Sequence, residues 1–531
     1  MTRIVRLRPW QKSAFDRFAA SDAKDFLAVA TPGAGKTTFA LAAARHVLAK
    51  HPSRLVVVAP TAHLKLQWAH AAAAFSLHLD PAWSAADGRI ASDMHGIVTS
   101  YQQVSASPEL VARLAEDAFV VFDELHHAAD ERAWGAAIQK AFANASRRLA
   151  LSGTPFRSDT HAIPFIHYDG DEAVPDYEYS YGDALADRRV VRPVYFPRTN
   201  GHMEWQAPDG SLHAATFDDK LGATRASERL RTALSLEGEW LPTVLQAAVE
   251  RLGMIRREHP DAGGLVIATD QEHARGIAEM LRDRFHTRSR VVTSDDPSAS
   301  AGIQAFAAGR EPWLVAVRMV SEGVDIPRLR VGVYATTTAT ELFFRQAVGR
   351  LVRWTRGTPR QRAWLFIPDD PRLRVLAAGI AEQRRHSLRR ALSEQIERSP
   401  FAAPVARWAE QMSLFSVISA VATDAAEPDD EFVDFGDEDE EVGVELTLGP
   451  PPPLAGGGSV LEGVTRRDEK RWLRDANATL ARDIAKRTKL THARVNAELN
   501  KLAGLEKVTT ATVPQLQKRL RAAEGWLAKV A

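Results

Sequence analysis

The chain has 531 residues, of which 45% are hydrophobic and 25% are charged, and its formal net charge is +1. This length and composition predict about three domains of an ordinary soluble globular protein. Because the chain has no cysteine, disulfides and cysteine-ligated metal sites are excluded. It has neither a run of about 18 apolar residues nor a signal-peptide pattern, so we expect no membrane span and a cytoplasmic protein.

Charge is segregated along the chain. Residues 424–448 contain 12 acidic and no basic residues, so the remainder carries a net charge of +13. From Val464 onward, 16 basic residues face 7 acidic ones. A basic body and a basic tail around an acidic run favour a polyanionic partner. A solvated surface joined by a disordered linker would give the same pattern.

Near the N-terminus, Gln11 follows Pro9 in a predicted helix. Its side-chain amide donates and accepts hydrogen bonds at once, which suits the Hoogsteen edge of adenine. A glutamine on the protein surface is the alternative interpretation.

A glycine-containing loop lies between the apolar run 26–30 and the alanine-rich run 39–48, which predict a strand and a helix. Glycines let successive N–H groups turn toward phosphate oxygens, and the helix dipole adds positive potential. Lys36 would bind the β- and γ-phosphates, and Thr37 would bind Mg²⁺.

This pattern predicts a P-loop, although Ala30 replaces the usual first glycine. Kinases, transporter ATPases, GTPases and motors all carry such a loop. The predicted cofactor-binding residues of the loop are Thr31, Gly33, Ala34, Gly35, Lys36, Thr37 and Thr38.

Hydroxyl side chains end two further predicted strands, 55–61 and 97–101. In open α/β sheets, ligands bind at the carboxyl ends of the strands. Thr61, Thr99 and Ser100 are therefore candidates for contacts with nucleic acid phosphates. Helix N-caps are the alternative role for each of them.

The buried strand 119–122 leads directly into two adjacent acids. Burying two carboxylates at the end of a strand costs folding free energy, so their presence indicates a function. Asp123 would hold the Mg²⁺ that Thr37 contacts, and Glu124 would deprotonate the attacking water. His126 and His127 follow, and a metal site formed by them is the weaker alternative because no third ligand is nearby.

The strand 149–152 ends in Ser152-Gly153-Thr154-Pro155. The motifs GxGKT, DELH and SGTP, in this order, resemble the first motor domain of superfamily 2 helicases of the DEAD/DEAH-box group. DELH and SGTPFRSD are more similar to the XPB-like and restriction-enzyme-like branch of bacterial and phage helicases than to the DEAD-box RNA helicases.

Two later motifs, SEGVDIP at 321–327 and QAVGRLVR at 346–353, resemble motifs of the second motor domain. Arg350 and Arg353 are three residues apart, so on a helix they would share one face. Their permanent charges suit a γ-phosphate in its transition state. A basic surface helix is the alternative. The resemblance spans roughly residues 5–370.

The resemblance implies an α/β fold with two tandem RecA-like domains, each a parallel sheet flanked by helices, and a small C-terminal helical module. It implies ATP and Mg²⁺ as cofactors and hydrolysis in a cleft between the two domains. It also implies that Gln11 reads adenine and that Gln346 is catalytic, coupling the site to the nucleic acid. The remaining implied roles are ribose binding by Asp325, cofactor binding by Gly323, coupling by His126, Ser152 and Thr154, and strand contacts by Thr99, Ser100 and Thr269. Thr61 stays a candidate for such a contact from its place at a strand end.

The predicted segments are a first RecA-like domain (1–165), a second (166–375), a helical extension (376–423), an acidic and Pro/Gly-rich disordered linker (424–459) and a basic helical module (460–531). Within the second domain, a predicted hairpin carries Trp205, which either stacks on a base or packs on its own domain. The C-terminal module, with three predicted helices, binds either nucleic acid or a protein. The acidic linker either competes with nucleic acid or only solubilises the chain.

The sequence thus predicts an ATP-dependent helicase or translocase with DNA favoured over RNA as its partner. A translocase that moves on duplex DNA without unwinding it remains open, as does an ATP-gated adaptor that recruits a protein partner. Glu124 and Arg350 argue against the adaptor, because an adaptor needs little hydrolysis.

Overall fold

Alternating strands and helices build two largely parallel sheets in the computed structural model of the chain. The structure describes residues 3–51, 53–125, 132–153, 163–170, 172–187, 189–207, 210–293, 299–317, 326–355, 357–358, 361–397, 443–454, 466–488 and 490–529. Two compact units result, of which the first comprises residues 1–29, 35–178 and 442–531 and the second residues 30–34 and 179–441. Among the described residues, no helix combines the length and apolarity needed to span a membrane.

The first unit is built on a seven-stranded sheet. Its strands lie in the order β10-β2-β7-β6-β3-β5-β4, and those from β2 to β4 pair in parallel. Strands β3 and β6 are buried along their whole length, as expected for a parallel sheet covered on both faces. The strands of this sheet are β2 (Asp25–Ala30), β3 (Leu55–Ala59), β4 (Leu79–Asp80), β5 (Gly96–Ser100), β6 (Phe119–Asp123), β7 (Arg147–Ser152) and β10 (Tyr177–Tyr179).

Helices connect these strands, and several begin at residues that follow a strand end directly. Helix α3 starts after Thr61, and α4 starts after Ser100. The described helices before β7 are α1 (Pro9–Ala20), α2 (Lys36–Lys50), α3 (Ala62–Ala74), α4 (Tyr101–Ala106), α5 (Pro108–Leu114) and α6 (Arg132–Phe142), with a 3₁₀ turn at Ala85–Asp87. Two short strands, β8 (Tyr168–Asp169) and β9 (Glu172–Ala173), pair with each other.

The second unit repeats this plan with strands in the order β11-β19-β18-β15-β17-β16, all paired in parallel, while β12 pairs with β19. Its sheet strands are β11 (Val194–Tyr195), β12 (Arg198–Thr199), β15 (Gly263–Ala268), β16 (Ser289–Val292), β17 (Trp313–Val317), β18 (Leu329–Ala335) and β19 (Ala363–Pro368). Its helices are α7 (Tyr181–Ala186), α8 (Ala223–Ala233), α9 (Trp240–Glu258), α10 (Gln271–Asp283), α11 (Ala299–Ala308), α12 (Glu341–Leu351) and α13 (Pro371–Glu397). Two parallel sheets flanked by helices confirm the predicted fold class.

The predicted hairpin of the second unit is present as β13 (His202–Gln206) and β14 (Leu212–Thr216). The indole of Trp205 donates to Glu228 Oε2 at 2.9 Å and packs against the core of this unit. Of the two roles considered for Trp205, the structure therefore places it in the packing role.

The first unit extends beyond the predicted boundary at residue 165. Strand β10 lies beside β2, and Asp176 Oδ2 accepts a hydrogen bond from the Leu27 N–H at 2.7 Å. The unit therefore continues to Glu178. The sequence did not show this because the strands of this segment are only two or three residues long.

Part of the predicted acidic linker is a strand, which corrects that prediction. Strand β20 (Val444–Leu448) pairs antiparallel with β1 (Arg3–Leu7). Just beyond it, the Arg45 guanidinium donates to the Gly449 and Pro450 carbonyls at 2.5 and 2.8 Å. A β strand satisfies its backbone through a partner that is remote in sequence, so the acidic and Pro-rich composition alone concealed it.

The C-terminal module contains the three predicted helices, α14 (Arg466–Thr488), α15 (His492–Ala503) and α16 (Val513–Lys529). It belongs to the first unit, where the Lys470 ammonium lies 2.5 Å from Asp93 Oδ1. The Lys470 side chain is 1% exposed. Burial lowers the pKa of Lys470, and the neighbouring Asp93 carboxylate opposes that shift.

Replacing Lys470 with methionine should loosen the module from the first unit. The change keeps the length of the side chain but leaves the buried Asp93 carboxylate without its cation, at a cost of about 3 kcal/mol. Hydrogen exchange should therefore show that α14 opens more easily in this variant than in the wild type. The control Lys518→Met, at an exposed position of α16, should leave the opening of α14 unchanged. Equal protection in the two variants would mean that the ion pair does not hold the module.

Candidate nucleotide-binding site

The loop between β2 and α2 contains two glycines in the left-handed region, Gly33 at φ +86° and Gly35 at φ +94°. Gly35 is the residue immediately before α2, and Lys36 is the first residue of that helix. A Cβ added at Gly35 would lie 2.6 Å from Gln11 Nε2. Both the backbone angle and the lack of space therefore require glycine here. Thr37 and Thr38 follow in the first turn of α2, at the positive end of the helix dipole, which favours an anion, and the Thr38 N–H donates to the Gly35 carbonyl at 3.1 Å.

Gln11 supports this loop from α1. Its Nε2 donates to the Gly35 carbonyl at 2.9 Å, and its Oε1 accepts from the Arg8 N–H at 2.8 Å. The side chain is buried and held at both ends. Sequence reasoning did not foresee the contact with Gly35, because the two residues lie 24 positions apart. Adenine recognition by Gln11 stays a prediction.

Lys36 and Glu124 form an ion pair in which Nζ lies 2.9 Å from Oε1. The other carboxylate oxygen of Glu124 accepts from the Gly153 N–H at 2.9 Å. Glu124 itself has φ +51°, a strained angle for a residue with a side chain. Three segments that the sequence marked separately, at Lys36, Glu124 and Gly153, thus meet at one edge of the sheet.

Asp123 is the last residue of β6 and is 8% exposed. Its Oδ2 accepts a hydrogen bond from the Trp68 indole at 2.7 Å, and its carbonyl accepts from the Tyr101 hydroxyl at 2.8 Å. Burial, with the Asp123 and Glu124 carboxylates nearby, raises the pKa of Tyr101 well above its usual value. Tyr101 therefore stays protonated and donates. Neither aromatic residue was identified from the sequence as part of the site.

These residues fit ATP with Mg²⁺. The loop with left-handed glycines, the helix start and Lys36 suit an anionic phosphate chain. The Asp123 carboxylate and the Thr37 hydroxyl are hard oxygen donors of the kind that Mg²⁺ prefers.

The three hydroxyl residues predicted to contact nucleic acid in the first unit lie at the ends of β3 and β5. Thr61 Oγ1 accepts from the Leu64 N–H at 3.4 Å, and Ser100 Oγ accepts from the Gln103 N–H at 3.2 Å. Both are thus N-caps, the alternative weighed from the sequence. Thr99 is buried and donates to Gln103 Oε1 at 3.2 Å. Contact with nucleic acid stays a prediction for all three residues.

In the second unit, Gln346 and Arg350 lie on α12, but Arg353 does not. The helix ends at Leu351, and Arg353 forms an antiparallel bridge with Val191. The expectation that both arginines share one helical face is therefore wrong.

The neighbouring Arg192 holds the residues that follow the end of this helix. Its N–H donates to the Val352 carbonyl at 2.7 Å, and its buried guanidinium donates to the Arg353 carbonyl. Burial lowers the pKa of Arg192 well below its usual value, and the neighbouring Arg330 adds to that shift.

Two further predicted site residues, Thr269 and Ser152, lie at or just after the ends of strands. Thr269 follows β15, and its hydroxyl donates to the Ala335 carbonyl at 3.3 Å. Ser152 is fully buried at the end of β7. Four predicted site residues lie outside the described part of the chain, namely His126, Thr154, Gly323 and Asp325.

Residues 4–157 match the family model described as the res subunit of type III restriction enzymes. This match spans the P-loop, Asp123 and Glu124. A fragment of a Vibrio vulnificus protein, described as an HsdR subunit of a type I restriction enzyme, shares the fold with a TM-score of 0.50. The two are 18% identical, and the match covers 70% of this chain and 65% of that one. These findings support the assignment of the chain to the superfamily 2 helicases.

Two relatives match a longer part of the sequence. An uncharacterised protein of Mycobacterium tuberculosis is 48% identical over 392 residues, which is 72% of this chain and 65% of that protein. The chain thus spans somewhat less than two thirds of this relative. A protein of Sulfurisphaera tokodaii named DNA 3′-5′ translocase XPB2 is 25% identical over 370 residues, covering 66% of this chain and 79% of that protein.

Proposed function

We propose that the chain is an ATP-dependent DNA helicase or translocase. The observation that carries this proposal is the meeting of Lys36, Glu124 and Gly153 beside a loop with two left-handed glycines. A phosphate-binding lysine next to a carboxylate that can accept a proton is the arrangement that hydrolysis of a nucleoside triphosphate needs. The match to a restriction-enzyme subunit and the relative named a DNA translocase support DNA rather than RNA.

The Lys36–Glu124 ion pair suggests how binding prepares the site. Lys36 can hold either the Glu124 carboxylate or the phosphates of ATP, so a nucleotide would draw Lys36 away. Glu124, still held by the Gly153 N–H, would then be available to take a proton from water. Bound Mg²⁺ would offset the negative charge of the phosphates, with Asp123 and Thr37 as its protein ligands.

Arg350 and Arg353 of the second unit are proposed to stabilise the charge that develops on the γ-phosphate. Each guanidinium is permanently charged, so its contribution does not depend on a proton. Gln346, on the same helix as Arg350, is proposed to couple hydrolysis to the bound strand.

Movement on duplex DNA without unwinding is the second candidate function. The relative from Sulfurisphaera tokodaii is named a translocase, which favours this mode. A strand-displacement assay beside a triplex-displacement assay separates the two, because a translocase without unwinding activity removes the third strand of a triplex and leaves the duplex intact.

The function is tested by the rate of ATP hydrolysis of the full chain with single-stranded DNA, duplex DNA and RNA side by side. We expect DNA to stimulate hydrolysis more than RNA does, and the stimulation to fall as salt rises, because phosphate contacts release counterions. Lys36→Ala, which removes the phosphate-binding charge, serves as the inactive reference. A wild-type rate equal to that of Lys36→Ala under all three conditions would overturn the proposal.

A further inference from the structure

Two helices of the first unit each send a buried aromatic side chain to Asp123. Trp68 of α3 donates to the carboxylate oxygen Oδ2, and Tyr101 of α4 donates to the backbone carbonyl. These helices begin directly after Thr61 and Ser100, two of the hydroxyl residues proposed to contact nucleic acid. Each helix therefore links a strand end at the proposed nucleic acid surface to the same acidic residue.

The starts of the two helices are also joined to each other. Lys65 of α3 donates to Gln103 Oε1 of α4 at 2.8 Å. The same oxygen accepts from the Thr99 hydroxyl and from the Ser100 N–H, both at 3.2 Å. One amide oxygen thus connects the first turn of α3 to the end of β5.

Chemistry fixes the direction of the two contacts with Asp123. An indole N–H can only donate, so Trp68 binds an Asp123 oxygen that accepts. A hydrogen bond to a charged acceptor in a buried place is short and strong, and its length here is 2.7 Å. This bond ties one oxygen of the Asp123 carboxylate to α3.

We propose that Trp68 and Tyr101 are positioning residues that couple nucleic acid contact at Thr61, Thr99 and Ser100 to the orientation of the Asp123 carboxylate. This inference rests on the proposed function. Nucleic acid that shifts the starts of α3 and α4 would move the two donors and, with them, the carboxylate that is to hold Mg²⁺. The coupling runs entirely inside the first unit.

Trp83 provides a matched control for Trp68. Both are buried tryptophans of the first unit with 2% exposure. The Trp83 indole nitrogen has no hydrogen-bond partner among the residues that the structure describes. Trp83→Phe therefore removes the same atoms as Trp68→Phe without removing a hydrogen bond to the site.

The test compares the Mg²⁺ dependence of the two variants in two measurements. One is equilibrium binding of a fluorescent ATP analogue, and the other is the ratio of DNA-stimulated to basal hydrolysis. In Trp68→Phe, we expect half-maximal binding of the ATP analogue to require about tenfold more Mg²⁺ than in the wild type. The ratio of DNA-stimulated to basal hydrolysis should also fall about tenfold, which is the usual scale for the loss of a residue that supports a metal ligand. Trp83→Phe should match the wild type in both.

Tyr101→Phe is the second variant, and it keeps the inference testable if Trp68→Phe fails to fold. It removes only the hydroxyl that reaches the Asp123 carbonyl, so the stimulation ratio should fall while the melting temperature stays near that of Trp83→Phe. The inference is overturned if DNA stimulates ATP hydrolysis by the wild type and if Trp68→Phe keeps the Mg²⁺ dependence and the stimulation ratio of the wild type. That result would leave the proposed function standing. A wild type without ATP hydrolysis would overturn both.

Discussion

Glu124→Gln is expected to slow ATP turnover by about 100-fold or more, because the amide cannot accept the proton of the attacking water. Nucleotide binding should persist, since glutamine keeps the size of the side chain and a carbonyl oxygen for the Gly153 N–H. The change also removes the ion pair with Lys36, so the affinity for ATP should hold or rise. Turnover and binding of a fluorescent ATP analogue are measured on the same preparation.

The matched control is Glu116→Gln, which makes the same chemical change at an exposed position of the first unit. It should leave turnover unchanged. Near-normal hydrolysis in Glu124→Gln would remove Glu124 from the role of general base.

Arg350→Ala is expected to reduce hydrolysis by about 1,000-fold while changing the affinity for ATP far less. A guanidinium that stabilises charge developing on the γ-phosphate acts mainly in the transition state, and arginines in this role contribute on that scale. The measurement is single-turnover hydrolysis together with equilibrium nucleotide binding. A collapse of affinity with a preserved rate constant would contradict the role.

Arg345→Ala on the same helix is the control. The Arg345 guanidinium lies 2.8 Å from Glu341 four residues earlier, an ion pair of the kind that contributes little to stability. Both substitutions remove one arginine from α12, so a difference between them reports the position of Arg350 and not the loss of charge.

Much of the first sheet could be predicted from the sequence because its strands are buried on both faces. Strands such as β3 and β6 appear as continuous apolar runs, and the predicted site residues lie at or just after their ends. The pairing of Lys36 with Glu124 follows from the same plan, since the carboxyl ends of parallel strands lie at one edge.

The supporting contacts could not be predicted, because each joins side chains that are remote in sequence. Trp68 and Asp123 are 55 positions apart, and the only sequence signal for Trp68 is a tryptophan in the helix after β3. Beyond the end of α12 at Leu351, the Val352 and Arg353 carbonyls accept from Arg192, a contact that carries no sequence signature. Local periodicity predicted a longer helix and therefore the wrong place for Arg353.

The pairing of β1 with β20 has a consequence for synthesis on the ribosome. Arg45 and its acceptor at Gly449 are 404 residues apart, so the first unit is completed only after the whole second unit has emerged. Until then, the nascent chain carries β1 as an open strand edge, which invites pairing with other chains. A product that terminates early, before β20, would keep that side of β1 unpaired for its lifetime, so we expect such fragments to aggregate more than the complete chain does.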